Sequence, residues 1–278
     1  MENKRSKIVK MFLLAVMAVC LILIGQAYCQ FVQHRAQQEE LRKMVRELNV
    51  EYLTANDGAL KGISVSASEN LKEPNAEDGG VQPVRESNEV DGDGQAVDQP
   101  QMLGRYTELY EINQDLAGWL SIEGMKIDYP VMQCEDDSYY LHHDFYGEDS
   151  KYGCLYVKER ADFDAGTNFM IYGHNMKDGS MFGDLDLYLK EEFYKEHPAI
   201  SFDTLYEERT YDIIAVFRSQ VYDADDDVFK YYQFYEADTQ EEFEDFYGNI
   251  KELSLYDTGV EAAFGDTFLT LSTCAYHV

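Results

Sequence analysis

The sequence predicts a mainly β domain with peripheral helices, carried behind one N-terminal transmembrane helix. Three observations predict this. An apolar run from Met11 to Ile24 follows Lys4, Arg5, Lys7 and Lys10. Between residues 117 and 273, short segments of β-branched or aromatic alternation are bounded by Gly, Asp or Pro. A few segments of helical apolar spacing interrupt them. Many short strands with few helices fit a β-barrel or sandwich with helices on its periphery.

At the N-terminus, adding Ile8, Val9 and Gly25–Tyr28 extends the apolar run to about 20 residues, enough to span a bilayer as a helix. Gln26-Ala27-Tyr28-Cys29 is a poor small-x-small cleavage site, so residues 1–28 read as a cytoplasmic tail and uncleaved signal-anchor. The basic flank places the N-terminal end in the cytoplasm and the rest outside, giving a single-pass cell-membrane protein with an extracellular domain. Residues 29–53 are rich in helix formers, with Leu41, Met44, Val45 and Leu48 at helical spacing, and predict a juxtamembrane helix. Residues 54–102 lose all periodicity and turn to Gly, Asp, Asn, Ser, Glu and Pro, the composition of a disordered acidic linker.

The folded unit spans residues 103–278. Gly104–Leu116 is predicted helical. Strands are predicted at Ala117–Ile122, Met125–Met132, Gly153–Lys158, Asn168–Tyr172, Ala199–Thr204, Arg209–Ser219 and Thr267–Thr273. Phe182–Glu196 and Thr239–Ser254 carry helical spacing.

Charge excludes one broad class. Asp and Glu outnumber Lys and Arg by 53 to 23, for a formal charge of −30. From residue 101 onward the ratio is 38 to 12. Nucleic-acid binding needs basic surface to displace counterions, so no nucleic-acid partner is expected. Five cysteines without a CxxC pair make neither a disulfide scaffold nor a zinc ribbon. Cys134 and Cys154 are expected as two buried thiols. His142-His143 lacks a third ligand at metal-binding spacing. Asp223–Asp227 resembles a calcium loop, but Val228 stands at the glycine position and Phe234 at the glutamate position, which leaves a solvated acidic loop.

Two residues carry candidate chemistry. Cys274 ends an apolar strand, Thr267-Phe-Leu-Thr-Leu-Ser-Thr-Cys274, where rigid backbone holds a thiol that can still meet a substrate. An inert buried cysteine fits that position equally well. His174 follows a strand and a glycine in Phe169-Met-Ile-Tyr-Gly-His174, a place that also suits a hydrogen-bonded loop histidine. Taken together, a thiol and an imidazole at two strand ends fit a nucleophile–base pair that meets only in the fold.

With these residues the sequence resembles the sortases, and within them class B. The resemblance rests on Thr270-Leu-Ser-Thr-Cys274, Tyr172-Gly-His-Asn-Met176, Ser180-Met-Phe-Gly-Asp-Leu185, Asp128-Tyr-Pro-Val131, Tyr140-Leu141 and Gly153-Cys-Leu-Tyr156, in that family's order. It implies an eight-stranded β-barrel with extra helices, including the long one at Thr239–Ser254. It implies a cysteine transpeptidase that needs no cofactor or metal. Cys274 would attack the sorting signal of a secreted protein, and His174 would protonate the leaving amine. A cell-wall peptidoglycan amine would then resolve the thioester. Leu141 and Ser272 would line the signal groove. The family's arginine on a strand after the cysteine has no counterpart in this sequence. The expectation is therefore a C-terminally incomplete copy with the last strand missing; the rival is Arg218 as a substitute. Two further functions stay open: a pilus-assembling sortase with a lysine acceptor, and an inactive module that binds sorting signals without turnover.

Overall fold

The predicted extended segments become β1 (Leu116–Ser121), β2 (Asp128–Met132), β3 (Leu155–Tyr156), β4 (Asn168–Gly173), β5 (Ala199–Thr204), β6 (Thr210–Asp212) and β7 (Phe268–Thr273). The computed structural model describes residues 4–60 and 100–273. The seven strands form one mixed, barrel-like sheet in the order β6-β5-β1-β2-β3-β4-β7. Pairs β2–β3 and β4–β7 are parallel; the other four are antiparallel. Leu120, Ile127, Val131, Met132, Leu155, Ile171 and Phe202 are fully buried and fill the core. Each such side chain contributes about 1.5–3 kcal/mol by leaving water.

Helix α2 (Gly104–Ile112) presses Tyr106 and Leu109 onto this core. Burial, together with the nearby Asp203 carboxylate, pushes the Tyr106 phenol well above its ordinary range. Its hydroxyl donates to Asp203 at 2.6 Å, and Arg105 reaches the same carboxylate at 2.8 Å. A short helix that periodicity does not predict, α3 (Tyr139–His142), sits between β2 and β3. The predicted helix Phe182–Glu196 divides in two: a 3-10 helix, Gly183–Leu189, and α4 (Glu191–Glu196). Extended backbone at Lys190 separates them, and Glu191 and Glu192 then open α4 with the charge its N-terminus favours.

Helix α5 (Gln240–Leu253) falls where the spacing predicts. Thr239 and Glu242 form a reciprocal capping box at its start. Phe243, Phe246 and Ile250 recur on one face and are buried. Phe243 stacks on Phe268 of β7 at 5.0 Å, and Phe234 stacks on Phe246 at 3.9 Å. This aromatic cluster fixes where β7 begins.

The predicted strand Arg209–Ser219 is corrected. Only Thr210–Asp212 pairs, with Ala199–Ser201 of β5. Beyond it the chain is held by isolated bonds: Leu255 N donates to Val216 O at 2.7 Å, and Val216 N donates to Ser254 Oγ at 3.2 Å. No neighbouring strand lies alongside among the described residues. A cleft of about 840 Å³ separates this segment from β7.

The N-terminal region forms its own unit. Helix α1 runs from Lys4 to Leu60 without a break, through the predicted anchor and juxtamembrane helix and into the predicted linker. Its apolar window has a mean hydropathy of 2.4 and no buried share, which fits a membrane anchor or a signal. Residues 61–99 of the predicted linker lie outside the described residues.

Candidate active site

Strands β4 and β7 form the floor of the site. They run parallel in unbroken register from Asn168↔Phe268 to Gly173↔Thr273. Side chains alternate across a strand, so Tyr172 and Ser272 share one face, while Phe169 and Ile171 lie on the other. Two side-chain bonds tie the strands beyond their ladder. Thr270 Oγ1 donates to Asn168 Oδ1 at 2.8 Å, and Thr273 Oγ1 donates to the Gly173 carbonyl at 2.7 Å. The register ends one residue before His174 on one strand and one residue before Cys274 on the other. Cys274 itself lies outside the described residues.

His174 is half-buried and fixed at both ends. Its carbonyl accepts from Phe182 N at 2.9 Å, closing the loop that leaves β4. Its Nε2 lies 2.8 Å from the Leu141 carbonyl. A carbonyl can only accept, so Nε2 carries a proton and Nδ1 is the nitrogen left to exchange one. Within the loop, Asn175 bridges Met181. Met181 adopts φ 51°, a left-handed conformation uncommon for a residue with a side chain, and its N–H donates to Tyr129 Oη at 3.3 Å. Gly173 is required by contact: a Cβ there would lie 2.4 Å from Leu155 Cδ2 and 2.8 Å from Phe182 Cδ2.

Leu141 is half-buried in α3. The position of its carbonyl follows from the Gly153-Cys154 segment. Cys154 N donates to the Tyr140 carbonyl at 2.8 Å, and Gly153, at φ +57°, brings its Cα against the Tyr140 and Leu141 carbonyls. The structure thus gives Leu141 a main-chain role toward His174. No residue-type signal marks such a role, because any residue supplies a carbonyl. Ser272 Oγ lies 2.9 Å from Tyr231 Oη, which brings the 3-10 turn Tyr231–Gln233 over β7. Burial pushes the Tyr172 phenol well up, with the Tyr235 hydroxyl beside it at 3.5 Å.

Cys154 is buried and free, and burial pushes its thiol far above the reactive range. Cys134 is free and half-buried; burial again raises it, and its Sγ meets Asp136 O at 3.3 Å. His143 stacks on Tyr139 at 3.9 Å, with Nδ1 2.7 Å from the Tyr139 carbonyl. In the acidic loop, Lys230 Nζ donates to the carbonyls of Ala224 and Asp226 at 2.9 and 2.8 Å. Arg218 is exposed on the cleft wall.

An imidazole is thus anchored at the end of one strand, beside a parallel strand whose sequence continues into cysteine. A sortase domain model matches residues 120–278, and the chain belongs to the sortase family. Its curated relatives are sortases B. It is 38% identical over 172 residues to sortase B of Listeria monocytogenes, covering 60% of this chain and 65% of that protein. It is 28% identical over 171 residues to sortase B of Staphylococcus aureus, covering 61% and 67%. The chain thus spans about two-thirds of their length. Sortase B from Bacillus anthracis in complex with AAEK1 superposes with a TM-score of 0.57 at 33% identity, over 63% of this chain and 80% of that one. The S. aureus sortase B–substrate complex gives 0.57 at 27%, over 63% and 78%, and a sortase B complexed with triglycine gives 0.57 at 28%, over 62% and 77%.

Proposed function

We propose that this chain is a membrane-anchored class B sortase-like cysteine transpeptidase. The observation that carries the reading is the β4–β7 register, which ends at Gly173 and Thr273. His174 directly follows Gly173 and Cys274 directly follows Thr273 in the sequence, so the two candidate groups are the next residues after one paired position.

The chemistry follows from these two groups. The Cys274 thiolate attacks the carbonyl carbon at the cleavage point of a sorting signal, forming a tetrahedral oxyanion. Collapse breaks the C–N bond and leaves a thioester. His174, protonated on both nitrogens, gives its Nδ1 proton to the departing amine while Nε2–H stays on the Leu141 carbonyl. An incoming cell-wall peptidoglycan amine then attacks the thioester and returns a proton to Nδ1, and the thiolate leaves. Water in place of the amine gives hydrolysis. The substrate and triglycine complexes of the related sortases B support a peptide donor and an amine acceptor. The long apolar helix supports an anchor that holds the domain on the extracellular side. Leu141 and Ser272 take the roles of a positioning carbonyl and a groove-floor hydroxyl.

The test is peptide cleavage followed by mass spectrometry of the acyl-enzyme. Cys274→Ala is expected to abolish the thioester adduct, and His174→Ala to cut turnover by about 10²–10⁴-fold. Long-range ¹H–¹⁵N spectra are expected to place the neutral His174 proton on Nε2. Cleavage that survives Cys274→Ala would overturn the assignment.

A further inference from the structure

We propose that Arg160, held on the ring of Tyr235 beside the β4–β7 floor, takes a carboxylate of the donor peptide and so determines specificity. The inference rests on the sortase reading above and adds a chemical class to its substrate. Tyr156, Tyr172 and Ser272 form one row across β3, β4 and β7, on the floor face. The first two rings stack at 5.5 Å. The Tyr172 and Tyr235 hydroxyls lie 3.5 Å apart, so Tyr235 adjoins that row. The Arg160 guanidinium carbon is 3.6 Å from the Tyr235 ring centroid.

Both halves of this contact are built into the fold. The Tyr235 carbonyl accepts from Thr167 N and Asn168 N, each at 2.9 Å, and Asn168 Nδ2 donates to the Phe234 carbonyl at 2.9 Å. The Tyr235 backbone is therefore fixed to the start of β4, and its hydroxyl adjoins that of Tyr172. The turn carrying Arg160 is clamped by one side chain. Gln133 Nε2 reaches the carbonyls of Lys158, Glu159 and Ala161 at 3.1, 3.1 and 2.8 Å. Asp137 Oδ1 takes the Glu159 N–H at 2.9 Å. Arg160 is exposed, and it makes no hydrogen bond or ion pair among the described residues.

Of the other cations in this domain, Arg105, Lys126, Lys158, Lys195, Arg209 and Lys251 each meet a carboxylate, while Lys151 rests on the Tyr152 ring much as Arg160 rests on Tyr235. An arginine resting on an aromatic ring keeps its edge donors available in a fork that matches a carboxylate, with much of its freedom already lost. An extended peptide on the floor advances roughly 3.3 Å per residue, so the position that meets Arg160 is found by scanning along the peptide. The domain is acidic overall, with 38 Asp and Glu against 12 Lys and Arg from residue 101 onward, so an anionic peptide is disfavoured in general and a cation beside the floor stands out.

The experiment uses the full chain with matched donor peptides that differ by Glu against Gln at one position, scanned along the peptide. Wild type is expected to prefer Glu at one position by about 3–10-fold in KM, with the preference shrinking in roughly 0.5 M NaCl. Arg160→Ala should erase the preference, bringing KM for the Glu peptide up to that for the Gln peptide. Arg160→Glu should shift the preference to Lys at that same position. A Glu/Gln ratio equal in wild type and Arg160→Ala overturns the proposal while leaving the sortase reading intact. So does a preference seen only for triglycine over triglycinamide as acceptor, which moves the carboxylate to the other substrate. Cleavage of no peptide in a Cys274-dependent manner overturns the sortase reading, and this inference with it.

Discussion

Two segments of similar promise in the sequence end differently in the fold. Thr267–Thr273 and Arg209–Ser219 both alternate or run apolar, and both predict strands. The first becomes β7, with six register pairs to β4 and two extra hydroxyl bonds. The second pairs over three residues and then continues on isolated bonds to residues 254 and 255. The difference lies in the neighbour. Alternation sets an extended backbone, but a strand also needs a ladder on at least one side, and β4 provides it only for β7. The catalytic proposal depends on the well-paired segment, and the cleft of about 840 Å³ lies between the two.

The largest expected effect comes from forcing β4 away from its surroundings. Gly173→Ala puts a methyl 2.4 Å from Leu155 Cδ2 and 2.8 Å from Phe182. Overpacking of this kind costs about 1–3 kcal/mol. It acts on the residue before His174 and on the pair with Thr273, so turnover should fall more than stability does. Thermal melting and peptide cleavage on the same sample check this. A variant that keeps both wild-type values would show that the end of β4 is loosely packed after all.

A smaller effect is expected in the segment that lacks a ladder. Ser254 Oγ accepts from Val216 N at 3.2 Å and donates to Tyr256 O at 2.8 Å. Ser254→Ala leaves the Val216 N–H without that partner, at a cost of about 1–2 kcal/mol. Hydrogen exchange should rise across residues 213–219 and stay unchanged in β7. Equal protection in both segments would mean that other contacts, rather than this hydroxyl, hold the chain there.

Much of this division was legible before the structure. The alternating segments and the helical spacing over Thr239–Ser254 are local signals, and those two residues cap the observed helix. The strand end before His174 was legible from Tyr172-Gly-His, because a glycine at a strand end signals a close approach by its neighbours. The extent of β6 was not legible, because pairing is a property of two segments and alternation reports only one. Nor was the Leu141 carbonyl, since main-chain acceptors carry no residue-type signature. Arg160 reads in sequence as one more surface charge; only the fold brings Tyr235, 75 positions later, beneath it.

The smallest stability effect is expected at the hydroxyl nearest the proposed chemistry. Thr273 Oγ1 donates to the Gly173 carbonyl at 2.7 Å, a bond as well formed as that of Ser254. Thr273→Val removes it and keeps a β-branched side chain that suits a strand. Here the ladder with β4 remains, and an acceptor has a second lone pair for its other partners, so the loss is about 0.5–1 kcal/mol. Activity is the sharper readout. The bond joins the carbonyl before His174 to the residue before Cys274, and it therefore sets how the two strand ends are aligned. Catalysis is sensitive to displacements of about 1 Å. The expected result is a melting temperature close to wild type with a clear fall in kcat and little change in KM. If kcat holds while stability drops by as much as in Ser254→Ala, the bond braces the sheet and has no part in aligning the site.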